Sequence, residues 1–329
     1  EAQAILVAPE GRDTAPAILA ASLFVAAKEP NKMMVFVPSD HVVHDDNALR
    51  TAIDVGLERA AMGDIVAFGI TPTRPETKFG YLAIVQFKAT GPIALERFVD
   101  KPDKKSAEAM LASGSARWNA RIYLMMAQGA VDAFEKHAPD MVTTVKAALK
   151  DAATDLDFVR LDPAAWTTVE SMSVDRAVME SAKNICAVRF DGGWTDMGDW
   201  NEVWAAMGPD ANGVSMRGAA IAIDCKNTLL RSEDERMEIV GIGLTDIIAV
   251  ATSDAVLVCH RGRGEDVRKA VELLTQKGVQ QAQAFPIDHR PWGWFESLAI
   301  GDRFQVKRIV VKQGAALSLQ SHQHRSEHW

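Results

Sequence analysis

The chain has 329 residues, 48% hydrophobic and 24% charged, with a formal net charge of −8. That is enough apolar material for a sizeable core and for two or three domains rather than one. The acidic balance, with no basic stripe, argues against nucleic acid as a partner, and no run of about 18 apolar residues or secretory leader is seen, so neither membrane insertion nor export is expected.

Residue 1 is Glu, and "AILVAPEG" runs almost at once into a buried strand, so the chain is expected to be the middle of a longer one. "RDTAPAILAASLFVAAK" predicts an Ala-rich helix with Asp13 or Thr14 as N-cap and Pro16 in the first turn. "MMVFVPSDH" is a continuous apolar strand ending on polar groups, Asp45 and Asp46 offer caps to "NALRTAIDVGLERAAM", and "DIVAFGI" completes a βαβ unit. "TPTRPETKFGYLAIVQF" reads as a proline-rich loop feeding a strand, and "IALERFVDKPD" as a strand leaving into a turn. Helices are predicted over about 104–113, 128–137 and 140–151, followed by the strand "NICAVRF". "DGGWTDMGDWNEVWAAM" then turns through two glycines into a helix that Asp199 would cap.

This alternation predicts an α/β domain over residues 1–207, a parallel sheet covered by helices. Residues 208–285 begin at the turn-rich "GPDANG" and show short β runs, one helix over about 264–277 and no evident repeat period, which reads as a small β-rich domain. In the last piece, 286–329, "FPIDHRPWGWFESL" reads as an aromatic connector and "RFQVKRIVVKQGAALSLQ" as two more strands. The last stretch is the histidine-rich "SLQSHQHRSEHW". Cys186, Cys225 and Cys259 are far apart and odd in number, which reads as reduced, buried thiols in a cytoplasmic setting.

In an open parallel sheet, ligands gather outside the carboxyl ends of the strands. Four polar stretches fall there: Gly11 to Thr14, Ser39-Asp40-His41, Asp100-Lys101 and Trp194-Thr195-Asp196 with Gly198. Two aspartates and a lysine converging on one crevice suit a Mg²⁺-bound phosphate, with hard oxygens for the metal and an ammonium for the anion. Taken singly, each aspartate reads first as a helix cap or turn former, and the lysine as a solvated one. Asp175, in "SVDRAVME", reads as a helix-start residue, and Trp194, Trp200, Trp204, Trp292 and Trp294 read as packing groups rather than sugar platforms.

The order and wording of "APEGRDTAPA", "PSDHVV", "FGITPTRPETKFGYL", "RFVDKPD", "RWNARIYL", "SVDRAVME" and "WTDMGDW" resemble bacterial mannose-1-phosphate guanylyltransferases. "RPWGWFESL" and the final histidine-rich stretch resemble the mannose-6-phosphate isomerase domain of the bifunctional members. The resemblance implies a Rossmann-like, GT-A-like nucleotidyltransferase sheet, a small β-rich domain and the start of a cupin barrel. It implies GTP and mannose 1-phosphate as substrates, GDP-mannose and pyrophosphate as products, and Mg²⁺ as the cation. Asp40 and Asp196 match the metal-holding aspartates and Lys101 the sugar-phosphate lysine. Gly80, Asp100 and Asn119 match sugar-pocket positions, and Gly11, Arg12, Thr14 and Pro16 the guanine segment.

His322, His324 and Glu327 match ligands for a Zn²⁺-like divalent metal in an intact isomerase domain, with Gln320 and His328 as weaker matches. The family also carries a glycine-rich triphosphate loop ahead of this chain's first residue, so residues 1–329 alone are expected to be inactive or nearly so. Three positions depart from the family pattern: Asp100 stands where Glu is usual, Arg121 where glycine is usual, and Lys78 at a small-residue position. Asp100 therefore reaches about 1.5 Å less far, one C–C bond. A buried Arg121 must find an anion or point to solvent. Transfer to another hexose 1-phosphate, or binding of a nucleotide sugar without catalysis, stays open on the sequence alone, as does a homo-oligomer.

Overall fold

Capping aspartates and apolar runs set the first elements where the sequence predicts them. β1 (Ile5–Val7) leads into α1 (Thr14–Ala26), whose first amide is held by Asp13 at 2.7 Å. β2 (Met33–Phe36) and the short β3 (Val42–Val43) precede α2 (Asp46–Ala61), where Asp45 accepts from the Asn47 and Ala48 amides. Next come β4 (Ile65–Ile70), β5 (Tyr81–Ile84), β6 (Ile93–Val99) and α3 (Lys104–Ser113). β7 (Ala116–Met126), α4 (Ala127–His137), α5 (Pro139–Lys150), β8 (Ala153–Asp155), β9 (Phe158–Arg160) and α6 (Pro163–Trp166) follow. A π-helical turn at Asp175–Met179 then leads to β10 (Ile185–Arg189) and β11 (Trp194–Thr195). The computed structural model describes residues 3–84, 91–282, 285–317 and 326–328, and divides the chain into two compact units, one through Asp196 and one from Met197.

The central sheet of the first unit has the order β2-β7-β4-β10-β6-β5, with β5 also paired to β7. It is mixed, not parallel. β4 and β10 run parallel, but β7 runs antiparallel to β2, β4 and β5. The predicted βαβ unit is therefore split by β7, a strand the sequence reading leaves unassigned.

Side chains on the sheet alternate between its two faces, as a period of two requires. Ile65, Ala67, Ile185, Ala187 and Tyr123 join α1, α4, α5 and the π-helical turn in one core, with Trp166 and Phe134 fully covered. Val66, Phe68, Cys186, Val188, Ile122 and Leu124 face α2 in the other. Each of the large side chains removed from water in this way contributes about 1.5–3 kcal/mol.

The second unit opens with α7 (Trp200–Ala206), capped by Asp199. β12 (Ser215–Arg217), β13 (Ala220–Ile223), β14 (Leu229–Ser232), β15 (Ile239–Ile242), β16 (Ile247–Ala251) and β17 (Val256–His260) follow. β12, β14 and β16 stack in parallel, as do β13 and β15, so successive coils lie on one another. Asp224, Asn227 and Asp246 hold left-handed corners at φ 52°, 46° and 56°, which Asn and Asp tolerate better than most residues. Trp200, Val203 and Trp204 of α7 cover Leu229, Ile248 and Val250.

Beyond α8 (Val267–Gln276), β18 (Ile287–Arg290), β19 (Gly293–Gly301) and β20 (Phe304–Val311) form an antiparallel sheet. The stretch read as a connector is thus a hairpin, and the stretch read as two strands gives only β20 among the described residues. No helix among the described residues is long and apolar enough to cross a membrane.

Candidate active site

Asp40 and Asp196 are brought together by the smallest sheet of the first unit. β11 pairs antiparallel with β3, Thr195 opposite Val42 and Trp194 opposite Val43, so the next residue on each strand is Asp196 and His41. The approach to this crossing is fixed by two glycines. Gly192 has Phe190 and Ala48 atoms 2.6 and 2.9 Å from where a Cβ would stand, and Gly193 has φ +68°. Their carbonyls accept from the Asp45 and His44 amides at 2.9 Å, tying the end of β10 to the start of α2.

His41 is the hub of the crossing. Its Nδ1 accepts from Trp194 Nε1 at 3.2 Å, the two rings meet edge to face, and Phe79 packs on Trp194 in turn. Burial pushes the imidazole below its ordinary pKa, against the pull of Asp40 and Asp196 and with the push of Arg121. A neutral ring agrees with an Nδ1 that accepts a proton donor. Asp40 Oδ1 is 4.0 Å from His41 Nε2, and its side chain is 71% exposed. Asp40 and Asp196 are hard carboxylates, a set suited to Mg²⁺, which takes one or two protein carboxylates and fills its shell with phosphate and water. Among the described residues no cluster of three metal-capable side chains exists.

A second group lies where β6 and β7 meet the π-helical turn. Asn119 is 2% exposed and Asp175 3% exposed. Asn119 Nδ2 donates to Tyr123 Oη at 2.7 Å and to Asp175 Oδ1 at 3.3 Å, and Tyr123 Oη donates to Asp175 Oδ1 at 2.5 Å. Burial lifts the Asp175 carboxyl above its ordinary range, opposed by the Tyr123 bond and by Arg121 and Lys101, and abetted by Asp100. Burial and then Asp175 hold Tyr123 well above its ordinary value, so the phenol stays a donor.

Asp100 follows β6, and its Oδ1 is buried without a hydrogen-bond partner among the described residues. Lys101, beside it, is exposed and holds φ +42°. Gly80 accepts the Asn119 amide at 2.8 Å, and the space where its Cβ would stand is bordered by Phe98 at 3.0 Å and Asn119 at 3.5 Å. Its lack of a side chain therefore serves close packing at the start of β5, between β6 and β7. Arg121 meets the burial requirement by finding an anion, with Nε 3.7 Å from Asp175 Oδ2. Lys78 is exposed, its amide bonded to Glu76 at 3.1 Å.

The expected nucleotide segment lies across the end of β1. Gly11 has open space around it. Arg12 is committed to Glu10 and to the Thr167 carbonyl, and Pro16 is buried within α1. The Thr14 hydroxyl accepts the Val174 amide at 2.9 Å, one residue before Asp175. Of the metal ligands expected near the C-terminus, His322 and His324 lie outside the described residues, as does Gln320; Glu327 and His328 are exposed.

Asp175 is the functional candidate that sequence reading missed. As expected it stands in the first turn of a helical segment, but its acceptor role depends on Asn119 and Tyr123, more than fifty residues earlier. A second signal is absent from the sequence. Of the non-glycine residues with positive φ in the first unit, Asp13, Lys101 and Arg121 fall in the candidate segments and Leu156 outside them, and such strain, of order 1–3 kcal/mol per residue, concentrates at functional sites.

Comparisons with known proteins identify the family. A nucleotidyl transferase model matches residues 2–212, a mannose-phosphate isomerase/GMP-like β-helix model residues 218–274, and a mannose-6-phosphate isomerase C-terminal model residues 277–329. The xanthan biosynthesis protein XanB of Xanthomonas campestris pv. campestris (strain B100) is 41% identical over 326 residues, 99% of this chain and 69% of that protein. The mannose-1-phosphate guanylyltransferase of Escherichia coli (strain K12) is 36% identical over 331 residues, again 99% and 69%. Among solved structures, one described as a mannose-1-phosphate geranyltransferase from Thermus thermophilus superposes with a TM-score of 0.67 at 27% identity, covering 81% of this chain and 76% of that one. With a matching family model over most of its length and relatives of this identity and coverage, the chain belongs to the nucleotidyltransferase family, among the mannose-1-phosphate guanylyltransferases that carry a mannose-6-phosphate isomerase C-terminal domain.

Proposed function

We propose that the full-length protein joins GTP and mannose 1-phosphate into GDP-mannose and pyrophosphate. A phosphate oxygen of the sugar 1-phosphate attacks the α-phosphorus in line. The new P–O bond forms as the bond to the bridging oxygen breaks, and the electron pair leaves with pyrophosphate. The protein takes no covalent part, so its work is alignment and neutralisation of charge.

In this reading Asp40 and Asp196 hold a divalent cation, Mg²⁺ by the chemistry of the donor set; when bound, it supplies charge neutralisation at the phosphate oxygens. Lys101 takes the sugar phosphate. Asn119 and Asp100 take sugar hydroxyls, and the unpartnered Asp100 Oδ1 is an acceptor awaiting a donor. Asp175 and Tyr123 fix the Asn119 amide, and with it the orientation of the pocket. Gly11, with Arg12, Thr14 and Pro16 behind it, lines the guanine end. In the intact protein the C-terminal domain interconverts mannose 6-phosphate and fructose 6-phosphate, with His322, His324 and Glu327 around a divalent metal.

The observation that supports the transferase reading is the β3–β11 pairing, beside which Asp40 and Asp196 both act on the buried His41 imidazole. Pyrophosphate release tests it, measured with Mg²⁺, GTP and mannose 1-phosphate and repeated with glucose 1-phosphate and with UTP. The GTP and mannose 1-phosphate pair is expected to give the highest kcat/KM. Preference for another pair would move the substrate assignment, and full turnover in both Asp40→Ala and Asp196→Ala would remove the metal assignment.

A further inference from the structure

β7 carries two surplus residues where it crosses the pocket. Ala67 and Gly69 of β4, two positions apart, face Tyr123 and Asn119, four apart. Such an irregularity re-aims side chains that a regular strand would keep alternating. Here the re-aimed residue is Arg121. It holds φ +54°, and its amide is secured by Asn119 Oδ1 at 3.0 Å. A left-handed backbone costs a residue with a Cβ about 1–2 kcal/mol relative to glycine, so the guanidinium is kept there at a cost.

Arg121 stands between the two groups described above. On one side its charge bears on His41, which also feels Asp40 and Asp196. On the other its Nε is 3.7 Å from Asp175, on which Lys101 also acts. That separation is long for a charge-assisted hydrogen bond. Asp175 is its sole ion-pair partner among the described residues, and the side chain stays 37% exposed. A fork of five donors that spends one on a distant carboxylate retains the geometry to take a phosphate bidentately.

Building on the transferase reading, we propose that Arg121 is a specificity-determining residue that grips the phosphate of the sugar 1-phosphate together with Lys101, holding it between the Asp175 pocket and the Asp40–Asp196 edge. Lys101 and Arg121 approach Asp175 from different strands, β6 and β7, so an anion between them is fixed in direction as well as place. The nucleotide triphosphate is not the target, because Arg121 shares its anion with Asn119 and Lys101 on the sugar side.

The test compares the full-length wild type with Arg121→Gly and Arg121→Lys. Glycine suits the left-handed backbone, so Arg121→Gly should melt at or above the wild-type temperature. The KM for mannose 1-phosphate should rise roughly 10–100-fold in Arg121→Gly, the loss of a charged hydrogen bond, while the KM for GTP stays within about twofold. Arg121→Lys should fall between them. An unchanged KM for mannose 1-phosphate, or an equal rise for both substrates, overturns the proposal and leaves the transferase reading standing. If the wild type releases no pyrophosphate, that reading fails. Calorimetric titration with mannose 1-phosphate then decides Arg121: binding lost in Arg121→Gly supports it, and equal or absent binding in both proteins overturns it.

Discussion

Asp40 and Asp175 are carboxylates in the same domain, yet the Asp40 side chain is 71% exposed and that of Asp175 only 4%. The first stands at a short strand crossing, with one distant contact to His41. The second is enclosed by a phenol, an amide and a guanidinium. An exposed acid keeps its hydration and can exchange it for a cation, whereas a buried acid has already exchanged water for fixed donors. Function and stability should therefore separate at the β3–β11 edge and coincide at Asp175.

The sharpest way to break that contrast is to remove the carboxylates of the β3–β11 edge. Asp40→Ala or Asp196→Ala should lower pyrophosphate release on the order of a hundredfold to a thousandfold or more, the scale of losing a main electrostatic contact to the transition state. Asp40→Ala should nonetheless unfold in urea within about 0.5 kcal/mol of wild type. Asp175→Ala should do the opposite in stability. It strands the Tyr123 hydroxyl and the Asn119 amide, and a loss of about 2–4 kcal/mol is expected in the same urea titration, together with reduced turnover.

Gly192→Ala probes whether the exposed edge rests on a rigid frame. The added methyl must displace Phe190 and Ala48, so a loss of about 1–3 kcal/mol is expected; no loss would show that the crossing yields freely. The smallest effect is on pH. The folded pKa of Asp175 lies above its ordinary 3.8, so the native state binds this proton more tightly than the unfolded chain. Its contribution is full below the ordinary value and is lost as pH rises through the raised one. The stability of Asp175→Asn relative to wild type should accordingly improve as pH rises from about 4 toward neutrality, and a flat difference would show that burial does not dominate the site.

The sequence disclosed the two regions unequally. Capped helices and apolar strands were legible because their causes are local: Asp45, Asp103 and Asp199 each hold the amides that begin α2, α3 and α7. The strand-end rule and the family resemblance pointed to Asp40 and Asp196, but their β3–β11 pairing was not legible, since strand pairing over such a span leaves no local trace. β7 went unread because Arg117, Asn119 and Arg121 alternate with Trp118, Ala120 and Ile122 and break its apolar run. With β7 unassigned, a parallel sheet was the natural expectation. Asp175 was invisible for the same reason, the donors to its carboxylate being carried by that strand.

In the second unit the coils escaped notice because their spacing is unequal: Ser215 lies over Leu229, but Leu229 over Ile248. The hairpin of β18 and β19 was masked by Pro291 and the tryptophans around its turn.

The β3–β11 crossing also sets a timetable for biosynthesis. Trp194 lies 153 residues from His41, so the ribosome must add about 150 residues after Asp40 before its companion carboxylate exists, roughly 10–30 s at ordinary elongation rates. Throughout that interval the nascent polypeptide carries one half of the proposed centre and none of its closure.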